Sequence, residues 1–293
     1  MMRLLRTSFR LACLVTGLAL LPALLPAQSA PSTGKAVSAP IPDISTLMRE
    51  VEANQKQLEV ERKDYTYHAH IVIQNLDKNG NVTKTGTEDH NIFYVNGQEI
   101  DQLLQRNGQP LSARDEEKEQ KRVDKQIAKA RKGDDKDDPN RQLVLTISRM
   151  LELGTVSNPR RVLLHGRSTI AFDYTGSPRA KTHNLSDAVM KDLVGTIWVD
   201  EAARHIVRLK AHFEKNFHIA GGLLVNVQKN THFAFEQGLV NNEVWLPTLV
   251  EIHGGVRFLL VKSLNQDVRA SFSDYRKFQS QVTILPGVKQ VQP

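Results

Sequence analysis

One stretch limits the fold more than any other. From Val194 to Phe278 the chain alternates apolar and polar residues with hardly a break. Along His205 to Phe213 the odd positions are His205, Val207, Leu209, Ala211 and Phe213, and the even ones after Ile206 are Arg208, Lys210 and His212. A period of two gives each face of a strand its own set of side chains, so one face is apolar and the other wet. The pattern continues through Leu223, Val225, Val227, Phe233 and Phe235, then Val244, Leu246, Val250 and Ile252. Val256, Phe258 and Leu260 follow, and Leu264, Val268, Ala270 and Phe272 close it. Turn residues punctuate the run at Asp200-Glu-Ala202, Gly221-Gly222, Gly238, Asn241-Asn242, Gly254-Gly255 and Asn265. Intervals this short suit hairpins and leave no room for crossover helices, so the sheet is expected to be antiparallel.

The N-terminal stretch is of another kind. Arg3, Arg6 and Arg10 precede an apolar run from Leu11 to Leu25, and small residues around Ala27 to Ala30 offer a cleavage site. This reads as a secretory leader over residues 1–30, too short and too proline-broken for a span of about 20 apolar residues. The single cysteine, Cys13, begins the apolar run, whereas a lipidated cysteine would end it. A chain exported without disulfides suits a bacterial periplasm or envelope, and it must rely on a packed core. The formal charge of +7 falls by three once the leader's three arginines are removed. Acids and bases are mixed along the remainder. There is no basic stripe with interleaved aromatics, so no nucleic-acid partner is expected.

Residues 31–42 are small, polar and proline-bearing, and read as a disordered tether. Asp43 or Ser45 can cap a helix whose apolar positions are Ile44, Leu47, Met48, Val51 and Leu58, with Gln55 in the same register. Tyr65 to Leu76 alternates as a strand. Asn79-Gly80 turns it, and the return strand runs from about Val82 to Val95. Ser112 to Lys132 is a charge-laced helix with Val123, Ile127 and Ala130 as its apolar stripe, followed by an acidic loop to residue 138. It reads as a solvated helix, with a mobile flap as the functional alternative. Pro139 is expected to start a helix carrying Leu143, Ile147, Met150 and Leu151, stopped at Gly154. Two strands follow between Thr155 and Tyr174. Ser186 can cap a short helix bearing Val189, Met190 and Leu193. Residues 279–293 form a tail.

Chemistry is sparse. His68 and His70 share a strand face and could bind zinc only with a third ligand from elsewhere; a solvated face is the simpler account. Asp77, Asn79 and Asn81 lack the glycine position and closing glutamate of a calcium loop. Ser32-Thr-Gly-Lys35 and Lys84-Thr-Gly86 match fragments of a serine-hydrolase pattern but stand in a tether and on a hairpin strand. No nucleophile elbow, phosphate loop or dinucleotide motif occurs. No cofactor is expected.

Certain words do stand out: Gly195-Thr-Ile-Trp-Val-Asp200 followed by Ile206-Val-Arg208, then Val244-Trp-Leu-Pro247, then Phe272-Ser-Asp-Tyr-Arg-Lys-Phe278. With the order of leader, amphipathic helix, long hairpin, helical inserts and unbroken strand series, the chain resembles the LolA-like superfamily of envelope proteins. The charged helix at 112–132 departs from the short carriers of that group. The resemblance implies an α+β fold over residues 43–278, with a charged helical insert at 112–138. Its sheet is a strongly curved, unclosed antiparallel half-barrel with helices over the concave face. A one-sided apolar sheet of about ten strands with so few helices should leave a cavity beneath them. The implied ligand is lipid or an acylated protein, since each buried methylene contributes ~0.8 kcal/mol. The expected lining is Ile71, Ile73, Phe93, Val207, Leu209, Phe213, Leu223, Val225, Val227, Val244, Leu246, Phe258 and Leu260. Alternatives are a sensory module docking an envelope protein through the insert, and an envelope hydrolase. The carrier needs no catalytic residue.

Overall fold

A computed structural model describes residues 40–133, 146–219, 225–229, 231–258 and 262–278. The leader, most of the tether, the acidic loop at 134–138, Leu143, Leu223, Leu260 and the tail lie outside the described residues. Everything described belongs to one compact unit that begins at Pro40.

Helix α1 (Ile44–Glu61) starts where Asp43 accepts a hydrogen bond from the Thr46 amide, and it buries Leu47, Val51, Gln55 and Leu58. A 3₁₀ turn over Arg62–Asp64 leads into β1 (Tyr65–Leu76), β2 (Val82–Val95) and β3 (Gln98–Arg106). The composition of 97–108 had disclosed no strand there. A two-residue β4 (Gln109–Pro110) precedes helix α2 (Ala113–Lys132), which is capped by Ser112 and ended by Gly133 at φ 67°. Helix α3 (Ile147–Glu152) is shorter than the pattern suggested. Thr146 stands extended and caps it, so the helix begins there and does not run through from Pro139. Strands β5 (Gly154–Leu164) and β6 (Arg167–Gly176) follow, then helix α4 (Leu185–Met190), whose cap is Asn184, not Ser186. The C-terminal third supplies β7 (Leu193–Asp200), β8 (Ile206–Phe213), β9 (Phe217–Ile219), β10 (Val225–Val227), β11 (His232–Val240), β12 (Val244–Phe258) and β13 (Lys262–Lys277).

Among the described residues these strands form a single sheet, ordered β4-β3-β2-β1-β13-β12-β11-β8-β7-β6-β5, with β9 and β10 attached beside β12. Its pairings are antiparallel and its ends do not meet, so the sheet is open. Residues directly opposite share a face, and the register therefore traces apolar rows across it. One row runs Ile71, Ala270, Val250, Phe235, Leu209, Ile197, Phe172. The next runs Ile73, Val268, Ile252, Phe233, Ala211, Gly195, Tyr174. The β6–β8 end of these rows packs with Leu47 and Val51 of α1, Met150 of α3 and Met190 of α4 into the main core.

Two bulges alter the faces expected from simple alternation. The register shifts between Trp198 and Val199, where Val199 opposes Ile206 and Trp198 opposes Arg208. Ile206 therefore joins Leu209 in the main core, while Val207 packs with Val244, Trp245 and Leu246 in a second cluster. The other shift lies between Glu236 and Gln237, which oppose Leu249 and Pro247. The extra residue, Thr248, turns Val244 and Leu246 away from the face of Val250 and Ile252. The described residues from Val225 to Phe235 are also not one strand, since β10 pairs with β9 and β12 and not with β8.

Helix α2 is docked against the sheet. Val123 and Ala130 are buried against Ile100, with Phe93, Val95 and Ile127 around them. It also satisfies backbone groups of β3: the Leu103 amide donates to Glu119 at 2.8 Å, and Arg122 donates to the Asp101 carbonyl at 2.5 Å. The Arg122 guanidinium also holds the Glu119 carboxyl below its usual range.

Two substitutions test this packing. A Cβ at Gly154 would stand 2.4 Å from the Tyr174 ring, so Gly154→Ala should destabilise the fold by roughly 1–3 kcal/mol in urea titration. Glu119→Ala should speed hydrogen exchange at the Leu103 amide while leaving amides of β6 and β7 unchanged.

Candidate functional site

The helices cover the apolar face incompletely. Between α1, α3 and the end of α4 on one side and β7, β8, β11 and β12 on the other lies a cavity of about 210 Å³. Leu58, Ile147, Met150 and Met190 form much of its helical wall, and Leu209, Ala211, Phe233, Phe235, Val250 and Ile252 its floor. That floor is the middle of the two apolar rows. The wall is oily because alternation puts apolar side chains on this face and α1 adds its own apolar stripe.

Polar groups hold the roof to the floor. Gln237 lies on the cavity face and donates to Gln55 of α1 at 3.3 Å and to the Ile206 carbonyl. The Gln55 amide nitrogen stands 3.4 Å from His205 Nδ1, and the His205 ring stacks on Trp245 at 5.8 Å. Burial pushes the His205 pKa below its ordinary value. Glu59 of α1 accepts from the Ser148 hydroxyl at 2.8 Å and from its amide at 3.2 Å, joining α1 to α3. Lys56 pairs with Glu152 at 2.8 Å across the same joint. The Tyr174 hydroxyl donates to the Met150 carbonyl at 2.8 Å, tying α3 to the sheet.

Helix α3 is fixed to α4 by a bidentate pair. Arg149 donates to both oxygens of Asp187, at 3.0 and 2.8 Å, and the His183 amide donates to the same carboxylate at 2.8 Å. The Arg149 guanidinium is the main reason why Asp187 stays ionised below its ordinary value of 3.8.

Of the residues expected to line a pocket, Leu209 lies on the cavity wall. Ile71 and Ile73 share its rows at the β1 side of the sheet and are half-buried. Phe213 and Val227 fill the main core instead. Val207, Val244 and Leu246 belong to the second cluster because of the bulges. Phe93 packs beneath α2. Val225 and Phe258 are described as a backbone pair in register. Sequence reasoning did not assign the helical wall, Glu59, Arg62, Met150 and Met190, to a site. The stripe of α1 pointed to burial, but not to what faced it.

The two histidines considered for zinc lean on a common carboxylate, with His70 Nδ1 2.8 Å and His68 Nε2 3.6 Å from Asp89 Oδ1. No group of three or more histidine, cysteine or acidic side chains among the described residues is arranged to hold a metal ion. No described helix is long and apolar enough to cross a membrane.

No family profile matches the chain, and no curated protein does. Solved structures similar to it include two that match at low identity. One is LolA superfamily protein NE2245 from Nitrosomonas europaea, at 10% identity and TM-score 0.32, over 79% of this chain and 92% of that one. The other is MucB in complex with MucA(peri), at 9% identity and TM-score 0.22, over 79% of this chain and 94% of that one. The first bears the name of the group that the sequence resembles. Overlap this slight carries no argument about function, which rests on the cavity itself.

The Arg149–Asp187 pair sets a pH dependence with a definite sign. A carboxyl with a depressed pKa stabilises the fold above its unfolded value of 3.8, and that contribution is lost as pH falls through the lower folded value. Asp187→Asn should therefore weaken the fold at pH 7, and its deficit against the parent should shrink on acidification. Urea titrations at several pH values would detect it.

Proposed function

We propose that the chain is an exported binding protein that takes an acyl chain, of a lipid or of a lipidated protein, into the cavity beneath α1 and α3. The observation that carries this is the cavity. It is about 210 Å³ of mostly apolar space on the covered face of an open sheet. An apolar cavity of about 150 Å³ already admits benzene, and each methylene transferred from water contributes ~0.8 kcal/mol. The leader read at residues 1–30 supports a periplasmic or envelope setting. The role assigned is transport or sorting, not catalysis.

The test is direct. Protein purified from its native envelope should carry lipid detectable by mass spectrometry, and delipidated protein should take up a fluorescent acyl probe. Ala211→Phe, which places a ring in the cavity floor, should weaken uptake about tenfold or more while circular dichroism and the melting transition show a folded chain. A delipidated parent protein that binds no acyl probe at any concentration tested would overturn the proposal.

A further inference from the structure

The cavity holds one feature that an acyl chain alone does not explain. Among its described lining residues Arg62 is the single cation. It follows the last residue of α1, its side chain is half-buried, and its Nε is fully buried with no hydrogen-bond partner among the described residues. A buried guanidinium nitrogen without an acceptor is costly, and native folds seldom leave one so.

The two carboxylates nearby already hold other donors. Glu59 holds the hydroxyl and amide of Ser148. Glu99 accepts from the Tyr94 hydroxyl at 2.7 Å and from the Tyr67 hydroxyl at 3.3 Å. Burial works against the Arg62 charge, but the nearby Glu99 and Glu59 carboxylates favour it, and its pKa stays above the ordinary value. The group is thus kept charged beside an oily cavity with donor capacity to spare. A guanidinium is also the side chain best shaped for two-point contact with a carboxylate or phosphate.

We infer that Arg62 receives the anionic head of the ligand, so that the preferred guest is a single aliphatic chain ending in a carboxylate or phosphate. The inference rests on the cavity's being an acyl site and adds the head-group chemistry. The chain lies against Leu209, Phe233, Phe235 and Val250, and the head oxygens accept from Arg62. A hydroxyl head could accept one bond from the guanidinium but offers neither charge nor two-point contact, so such a chain gains little beyond burial.

The experiment compares three ligands of equal chain length on the delipidated mature protein: hexadecanoate, hexadecyl phosphate and hexadecanol. Affinities are read by displacement of a fluorescent acyl probe. One or both anionic ligands should bind about tenfold or more tightly than the alcohol, and the two anionic arms decide between a fatty-acid and a phosphate head. Arg62→Gln should erase that preference by weakening the anionic ligands far more than hexadecanol, and Arg62→Lys should restore much of it. Equal binding of all three ligands by the parent protein would overturn the inference and leave the acyl cavity standing. A preference that survives in Arg62→Gln would overturn the assignment to Arg62. Binding of none of the three would overturn both readings. Should Arg62→Gln fail to fold, the parent comparison and Arg62→Lys still decide.

Discussion

A wide antiparallel sheet with one apolar face must have that face covered, and the rest of this chain is arranged around that need. The two rows that cross seven strands, from Ile71 to Phe172 and from Ile73 to Tyr174, form one continuous oily surface. Three helices are set against it, and two of them have six residues each. At the β6–β8 end they suffice, and Leu47, Val51, Met150 and Met190 close over Phe172 and Ile197 as core. Toward β11 and β12 they do not, and the space left is the cavity. Core and site are therefore two ends of one surface, divided by where the helices run out.

The roof depends on polar contacts as much as on packing. Gln55 sits in the apolar stripe of α1, and its partners are Gln237 on the floor and His205 beside it. Buried amides of this kind stabilise modestly when paired but cost more when broken, so they fix register better than they add strength. The same logic applies to Glu59 with Ser148 and to Arg149 with Asp187, each joining one short helix to another element. The cover is thus held by a few directional bonds at its margins, over a floor it does not fill.

The antiparallel class, the first hairpin and the stripe of α1 were legible because period and turn chemistry are local properties, whereas the turns expected at Gly238, Gly254-Gly255 and Asn265 lie inside β11, β12 and β13. Tyr65 to Leu76 and Val82 to Val95 could be read almost to the residue for that reason, with Asn79-Gly80 between them. The pocket was less legible, and two bulges account for much of the difference. Alternation counted through Ile206 puts Val207 on the wrong face, and counted through Thr248 it does the same for Val244 and Leu246. A bulge has no strong signature in sequence, since any residue can be the extra one. The helical wall was hidden for another reason. Which face of a sheet a helix meets is decided by long-range register, so Glu59 could be placed on α1 and Arg62 at its end, but neither opposite Phe233 and Phe235.

An open sheet has a second problem, because each terminal strand presents unpaired backbone that invites another strand. Here the two ends are blunted by different means. Beyond the pairing of its last two residues with β4, strand β3 receives α2, whose Glu119 and Arg122 bond the Leu103 amide and the Asp101 carbonyl. Strand β5 is broken by an irregularity between Ser157 and Arg160, where Asn158 takes φ 49° and Pro159 offers no amide proton. The charged helix thus has a structural use that its composition concealed, since a solvated face and an edge-capping face can belong to the same helix. With both edges occupied or deformed, extension by another strand is disfavoured. The incompletely covered apolar face is then the part of the sheet that stays open.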